Sequence, residues 1–88
     1  MQIINSEELK EFVKHYPTSR RPIVRWTDIT TEAQWHSFND VKQSFNTADY
    51  VKGFIVFDIA GNLYRLIARV KYQDQIVIIE NIFTHKRI

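Results

Sequence analysis

The stretch Leu63-Tyr64-Arg65-Leu66-Ile67-Ala68-Arg69-Val70-Lys71-Tyr72 decides how this chain folds. Tyr64, Leu66, Ala68, Val70 and Tyr72 alternate with Leu63, Arg65, Ile67, Arg69 and Lys71. A β-strand sends residues i, i+2 and i+4 to one face. The pattern therefore predicts a half-buried strand, with one side turned to a core and the other presenting Arg65, Arg69 and Lys71. Just upstream, Gly61-Asn62 supplies turn chemistry. The run Phe54–Ile59 before it is almost continuously apolar, which suits a strand covered on both faces. Downstream, Gln73-Asp74 reads as a two-residue link to a further strand over Gln75–Phe83. Two short connections in succession imply an antiparallel meander.

Working back toward the N-terminus, the period changes at about residue 48 from strand-like to helical. Leu9, Phe12, Val13 and Tyr16 follow the stripe of an amphipathic helix. Asn5 or Ser6 stands at its cap position, Glu7 and Glu8 in its first turn, and Pro17 at its end. Pro22 suits the first position of a second helix carrying Ile23, Trp26, Ile29 and Ala33. Ser37-Phe38-Asn39-Asp40 resembles a capping box for a short third helix, with Val41 and Phe45 inward. Ile3 and Ile4 read as a short edge strand. Helices first and a meander after them make an α+β domain, with the helices packed on one sheet face.

Composition bounds the rest. With 88 residues, 44% hydrophobic and 14% aromatic, the chain has apolar material for one core, a single domain over residues 1–88. A TIM barrel or a full dinucleotide-binding fold does not fit. The absence of cysteine excludes disulfides, thiolate metal sites and a cysteine nucleophile. No long apolar run or signal peptide is present, so a cytoplasmic protein is expected, with no membrane partner. The net charge is +2. Residues 1–52 carry seven basic and seven acidic side chains, whereas residues 53–88 carry five and three. The excess thus lies in the C-terminal part, where a polyanion is the natural partner.

Which residues could act chemically? Arg65 and Arg69 can each hold a phosphate through paired hydrogen bonds, a geometry lysine lacks. An ordinary solvated sheet face is the competing reading of the same pattern. The ending Thr84-His85-Lys86-Arg87-Ile88 places a histidine, suited to proton transfer near neutral pH, beside two cations. His15 and His36 have no partners at metal-ligand spacing, so no metal site is expected. Trp26 and Trp35 read as core. With glycine only at 53 and 61, there is no phosphate-cradling loop.

The stretch Val56-Phe57-Asp58-Ile59-Ala60-Gly61-Asn62-Leu63-Tyr64-Arg65-Leu66-Ile67 resembles the V-F-N-I-x-G-N-K-Y-R-L-I signature of the HigB-type toxins, within the RelE superfamily of bacterial type II toxin–antitoxin systems. Ile76–Phe83 with Thr84-His85 is similar to that family's last strand and T-H motif. Trp35, Asp40-Val41-Lys42, Phe45 and Ala48-Asp49 resemble its W-x-x-x-x-D-V-K-x-x-F-x-x-A-D pattern.

The resemblance implies a RelE-like fold, with the sheet face opposite the helices receiving RNA. It implies a cytoplasmic endoribonuclease that cuts mRNA on the ribosome without metal or other cofactor. It further implies neutralisation by a cognate helix-turn-helix antitoxin, with promoter DNA engaged only through that antitoxin. By the same resemblance Arg65 and Arg69 would meet phosphate and transition-state charge, and His85 would be acid or base. Lys71, Lys86 and Arg87 would contact RNA backbone. Asn62 carries over with them as RNA-binding, and Tyr64 belongs to the signature but faces the helices by strict alternation. The family's Tyr-Asp pair after T-H has no counterpart here. The competing expectation is therefore an inactive RelE-fold module that only binds antitoxin or ribosome. A small nucleic-acid-binding protein without toxin ancestry is a third.

Overall fold

The computed structural model describes residues 1–85. Its chain order is β1 (Gln2–Ile4), α1 (Glu7–His15), a 3₁₀ turn (Pro17–Ser19), α2 (Arg20–Glu32), α3 (Phe38–Ser44), β2 (Asp49–Val51), β3 (Phe54–Ile59), β4 (Tyr64–Lys71) and β5 (Ile76–Thr84). The strands form one sheet in the order β1-β5-β4-β3-β2. β3 to β5 make the expected antiparallel meander, β2 extends it at one edge, and β1 lies parallel to β5 at the other. The helices lie on one face, so the domain is α+β, the arrangement that the resemblance implies.

The alternation in β4 holds. Tyr64, Leu66 and Ala68 are buried, Arg65 and Ile67 half-buried, and Arg69 and Lys71 exposed. Ile55, Phe57 and Ile59 of β3 join them beneath the helices, with Val77 and Ile79 of β5. Trp26 and Trp35 complete the core. Trp26 meets Phe57 edge-on at 5.3 Å, and Phe45 does the same at 5.3 Å. Such aromatic pairs add ~1 kcal/mol beyond area burial. Tyr64 also faces the helices, packs edge-on to Phe12 at 5.4 Å, and shares a 2.8 Å hydrogen bond with Thr18.

Several local expectations are corrected. β3 is not covered on both faces: Phe54, Val56 and Asp58 are only half-buried, because the helices shield one side of the sheet. The link between β4 and β5 is longer than two residues. Lys71 pairs with Ile76, and Gln75 adopts a left-handed φ of 57° to close the turn. β2, just past the change of period at about residue 48, is a short strand that the sequence reading does not single out. Lys52 (φ 50°) and Gly53 (φ 88°) form a two-residue hairpin with both residues left-handed, the geometry that matches strand twist. α2 starts at Arg20, and Pro22 sits inside its first turn, where a missing N–H breaks no helical bond. No side-chain cap bond forms at Ser6 or Ser37; instead Asp40 accepts from the His36 N–H at 2.8 Å.

One irregularity matters for function. Ile67 pairs with Asn81, but Ala68 pairs with Ile79, so β5 carries a bulge at Glu80-Asn81. A bulge inserts one residue and reverses the side-chain alternation beyond it. Val77 and Ile79 point to the core before it and Ile82 after it, which leaves Phe83 on the outer face, 37% exposed.

Candidate functional site

The outer face of the sheet is built by residues that pair directly across strands. Arg65 of β4 lies between Asp58 of β3 and Phe83 of β5. Its Nε is 3.5 Å from Asp58 Oδ1. That nitrogen is buried and has no acceptor in hydrogen-bond geometry among the described residues. The guanidinium is therefore attracted to Asp58 without being satisfied by it. Both side chains keep contact with solvent, 39% and 25% exposed, so the pair is screened and contributes ~1 kcal/mol at most.

Just beyond lies the β3–β4 turn. Ala60 (φ 55°) and Gly61 (φ 71°) are both left-handed, a conformation that costs the alanine ~1–2 kcal/mol. Asn62 and Leu63 sit exposed in this turn. His85 is fastened to it twice. Its backbone N–H donates to the Leu63 carbonyl at 2.9 Å, and its Nδ1 stands 3.2 Å from the Asn62 carbonyl. A carbonyl can only accept, so this contact favours the tautomer with the proton on Nδ1 and a free lone pair on Nε2. Since Arg65 pairs with Phe83, His85 lies on its diagonal, ~7–8 Å away between backbones.

Arg65 and His85 are thus brought to one end of the sheet. Arg69 and Lys71 are not. They lie four and six residues along β4, ~13 and ~20 Å by strand rise. Arg69 is held there by Glu80, with Nε 3.5 Å from Oε2, and by the Phe54 ring, 4.8 Å from its guanidinium carbon. Lys71 is exposed and pairs across the sheet with Ile76. Lys86 and Arg87 lie outside the described residues. Burial and the nearby Tyr50 and Asp40 raise the Tyr72 phenol above its ordinary 10, so it stays protonated at physiological pH.

The face is not the plain cationic surface that the alternation of one strand predicts. Asp58 and Glu80 enter from the neighbouring strands, and Ile67, Ile76, Ile78 and Phe83 make it substantially apolar. Asp58, Glu80 and Phe83 are what sequence reasoning missed. The adjacent polar pair Glu80-Asn81 within an apolar strand was the one available sign of the bulge that turns Phe83 outward. Among the described residues, no three His, Asp or Glu side chains gather at metal-binding separation, and no helix is long and apolar enough to cross a membrane.

The family model for the HigB toxin, a RelE-like toxic component of a toxin–antitoxin system, matches residues 19–87. The mRNA interferase toxin HigB of Escherichia coli strain K12 is 26% identical over 89 residues, covering 98% of this chain and 86% of that protein. The mRNA interferases HigB of Escherichia coli O157:H7 and of Shigella flexneri match to the same extent. The matched region contains every candidate site residue named above.

Proposed function

The chain belongs to the HigB family of RelE-like toxins, the toxic components of toxin–antitoxin systems, and on that footing we propose that it is an endoribonuclease that cuts mRNA without a metal ion. One observation carries the site assignment: an arginine whose Nε lacks a hydrogen-bond acceptor among the described residues stands on the same sheet end as a histidine whose Nδ1, rather than Nε2, faces the Asn62 carbonyl. The cut needs little more from the protein. His85 Nε2 takes the proton of the 2′-hydroxyl, the 2′-oxygen bonds to phosphorus, and the bond to the 5′-oxygen breaks. The leaving oxygen takes up a proton, for which the newly formed imidazolium is the acid at hand. Arg65 stabilises the charge that builds on the phosphorane oxygens. The need for a 2′-hydroxyl restricts the reaction to RNA.

Around this centre, Phe83 offers a face for base stacking. Arg69 serves charge on a phosphate further along the strand. Asn62, Lys71, Lys86 and Arg87 contact the RNA. The substrate is message on the ribosome, in the cytoplasm. A helix-turn-helix antitoxin holds the toxin inactive, and promoter DNA is engaged only through it.

A second reading has its own support. Both arginines stand opposite carboxylates, as in a face kept neutral for binding alone. A RelE-fold module that engages antitoxin or ribosome without cutting is consistent with that. Induced expression in a bacterial host, with primer extension on cellular mRNA, separates the two. Growth arrest with new cleavage ends is expected. Arg65→Ala and His85→Ala should each relieve it while the protein remains folded, with a rate loss of ~10²–10⁴ for the histidine. Full toxicity in either variant refutes that residue's role, and no cleavage by the natural chain leaves the binding module.

A further inference from the structure

A second concavity lies away from the outer sheet face. It is a cleft of about 670 Å³ at the opposite margin of β3, walled by α2, the loop between α3 and β2, and the β3–β4 turn. That volume lies in the range of small-ligand sites. β2 pairs with Phe54, Ile55 and Val56, so among the described residues the remainder of this β3 edge is unpaired, and it borders the cleft.

Arg21 and Arg25 line it from α2. Four residues apart, they share one helix face. Both are exposed, and neither forms an ion pair among the described residues. Opposite them the wall carries neutral hydrogen-bonding groups, Asn46 and Thr47 among them, and the half-buried Phe45 supplies an apolar surface. Asp58 is the acid in the lining, and its carboxylate is already turned to Arg65. Asp58 thus borders both the cleft and the Arg65–His85 end of the sheet.

We propose that this cleft is a second RNA subsite, which holds a nucleotide flanking the one that is cut. Arg21 and Arg25 take its phosphates, and Phe45 receives its base. Two cations on one wall with neutral donors facing them suit a phosphodiester better than a peptide, whose backbone carries no charge. A base stacked on an aromatic ring needs no particular sequence. The proposal rests on the RNA-cutting reading of the neighbouring site.

The test uses a 12-nucleotide single-stranded RNA with 2′-O-methyl riboses and a fluorescent end, which cannot be cut. Its binding to the whole protein is followed by anisotropy across salt concentrations. Each phosphate neutralised on single-stranded RNA contributes ~0.7 to the slope of log affinity against log salt, so Arg21→Ala/Arg25→Ala should lower the slope by ~1.4. Taken as pure counterion release, that is ~25-fold weaker binding at 0.1 M salt. Arg21→Lys/Arg25→Lys should retain the slope, and thermal unfolding checks that each variant folds. No binding by the natural chain, or an unchanged slope and affinity in the alanine variant, overturns the proposal. So does loss of antitoxin co-purification with RNA binding intact, which makes the cleft a protein interface. Because the probe is inert, the outcome is independent of whether the chain cleaves RNA, which the toxicity assay decides.

Discussion

Replacing Asp58 with asparagine should release Arg65. The substitution conserves size and removes only the charge, and it puts back the residue found at this place in the signature that the strand resembles. At 3.5 Å the bare attraction between the two groups is ~1 kcal/mol in water and ~5 kcal/mol at an effective dielectric of 20. Their side chains are 39% and 25% exposed, so solvent and salt reduce the usable part to ~1 kcal/mol or less. A phosphate approaching Arg65 in the natural chain must displace this attraction and also face the carboxylate. Asp58→Asn should therefore tighten binding of the uncut RNA by ~5-fold. The salt slope should steepen by ~0.7, as one more phosphate becomes fully neutralised. Folding stability should fall by ~1 kcal/mol or less, read from urea unfolding. Unchanged or weaker RNA binding, with an unchanged slope and an intact fold, would refute the competition between Asp58 and RNA for Arg65.

Two further predictions concern the scaffold. Leu66 is fully buried beneath the helices, and Leu66→Ala should cost ~2–5 kcal/mol in urea unfolding; a loss below ~1 kcal/mol would mean the core closes over the gap. Thr30 is also fully buried, and its hydroxyl has no partner among the described residues, so Thr30→Val should raise stability by ~1 kcal/mol. A lower melting temperature in that variant would show that the hydroxyl is satisfied after all.

The strand pattern around Leu63–Tyr72 was legible because one strand's alternation is a local property. It reports which side chains share a face whatever the neighbours are. The charge of that face was not legible in the same way, since Asp58 and Glu80 reach it only through pairing register. Phe83 was obscured for a related reason. Counting by twos from Val77 and Ile79 puts it in the core, and only the bulge at Glu80-Asn81 reverses the count. The hairpin at Lys52-Gly53 was masked by a non-glycine residue in a left-handed position. Tyr64 shows the opposite case. Strict alternation turned it away from the outer face, and it is found bonded to Thr18 beneath the helices. The cleft between α2 and the β3 edge has no signature in sequence, because its walls come from segments that are adjacent only after folding.

The parallel pairing of β1 with β5 has a consequence for the timing of synthesis. Gln2, Ile3 and Ile4 find their partners in Ile76, Val77 and Ile78, so β1 can enter the sheet only after β5 has been made. Long-range pairings of this kind are slow, because a large loop must close before any contact offsets its entropy. The same strand, β5, leads into His85. Arg65 and His85 therefore come to one end of the sheet only once β5 has paired with β4.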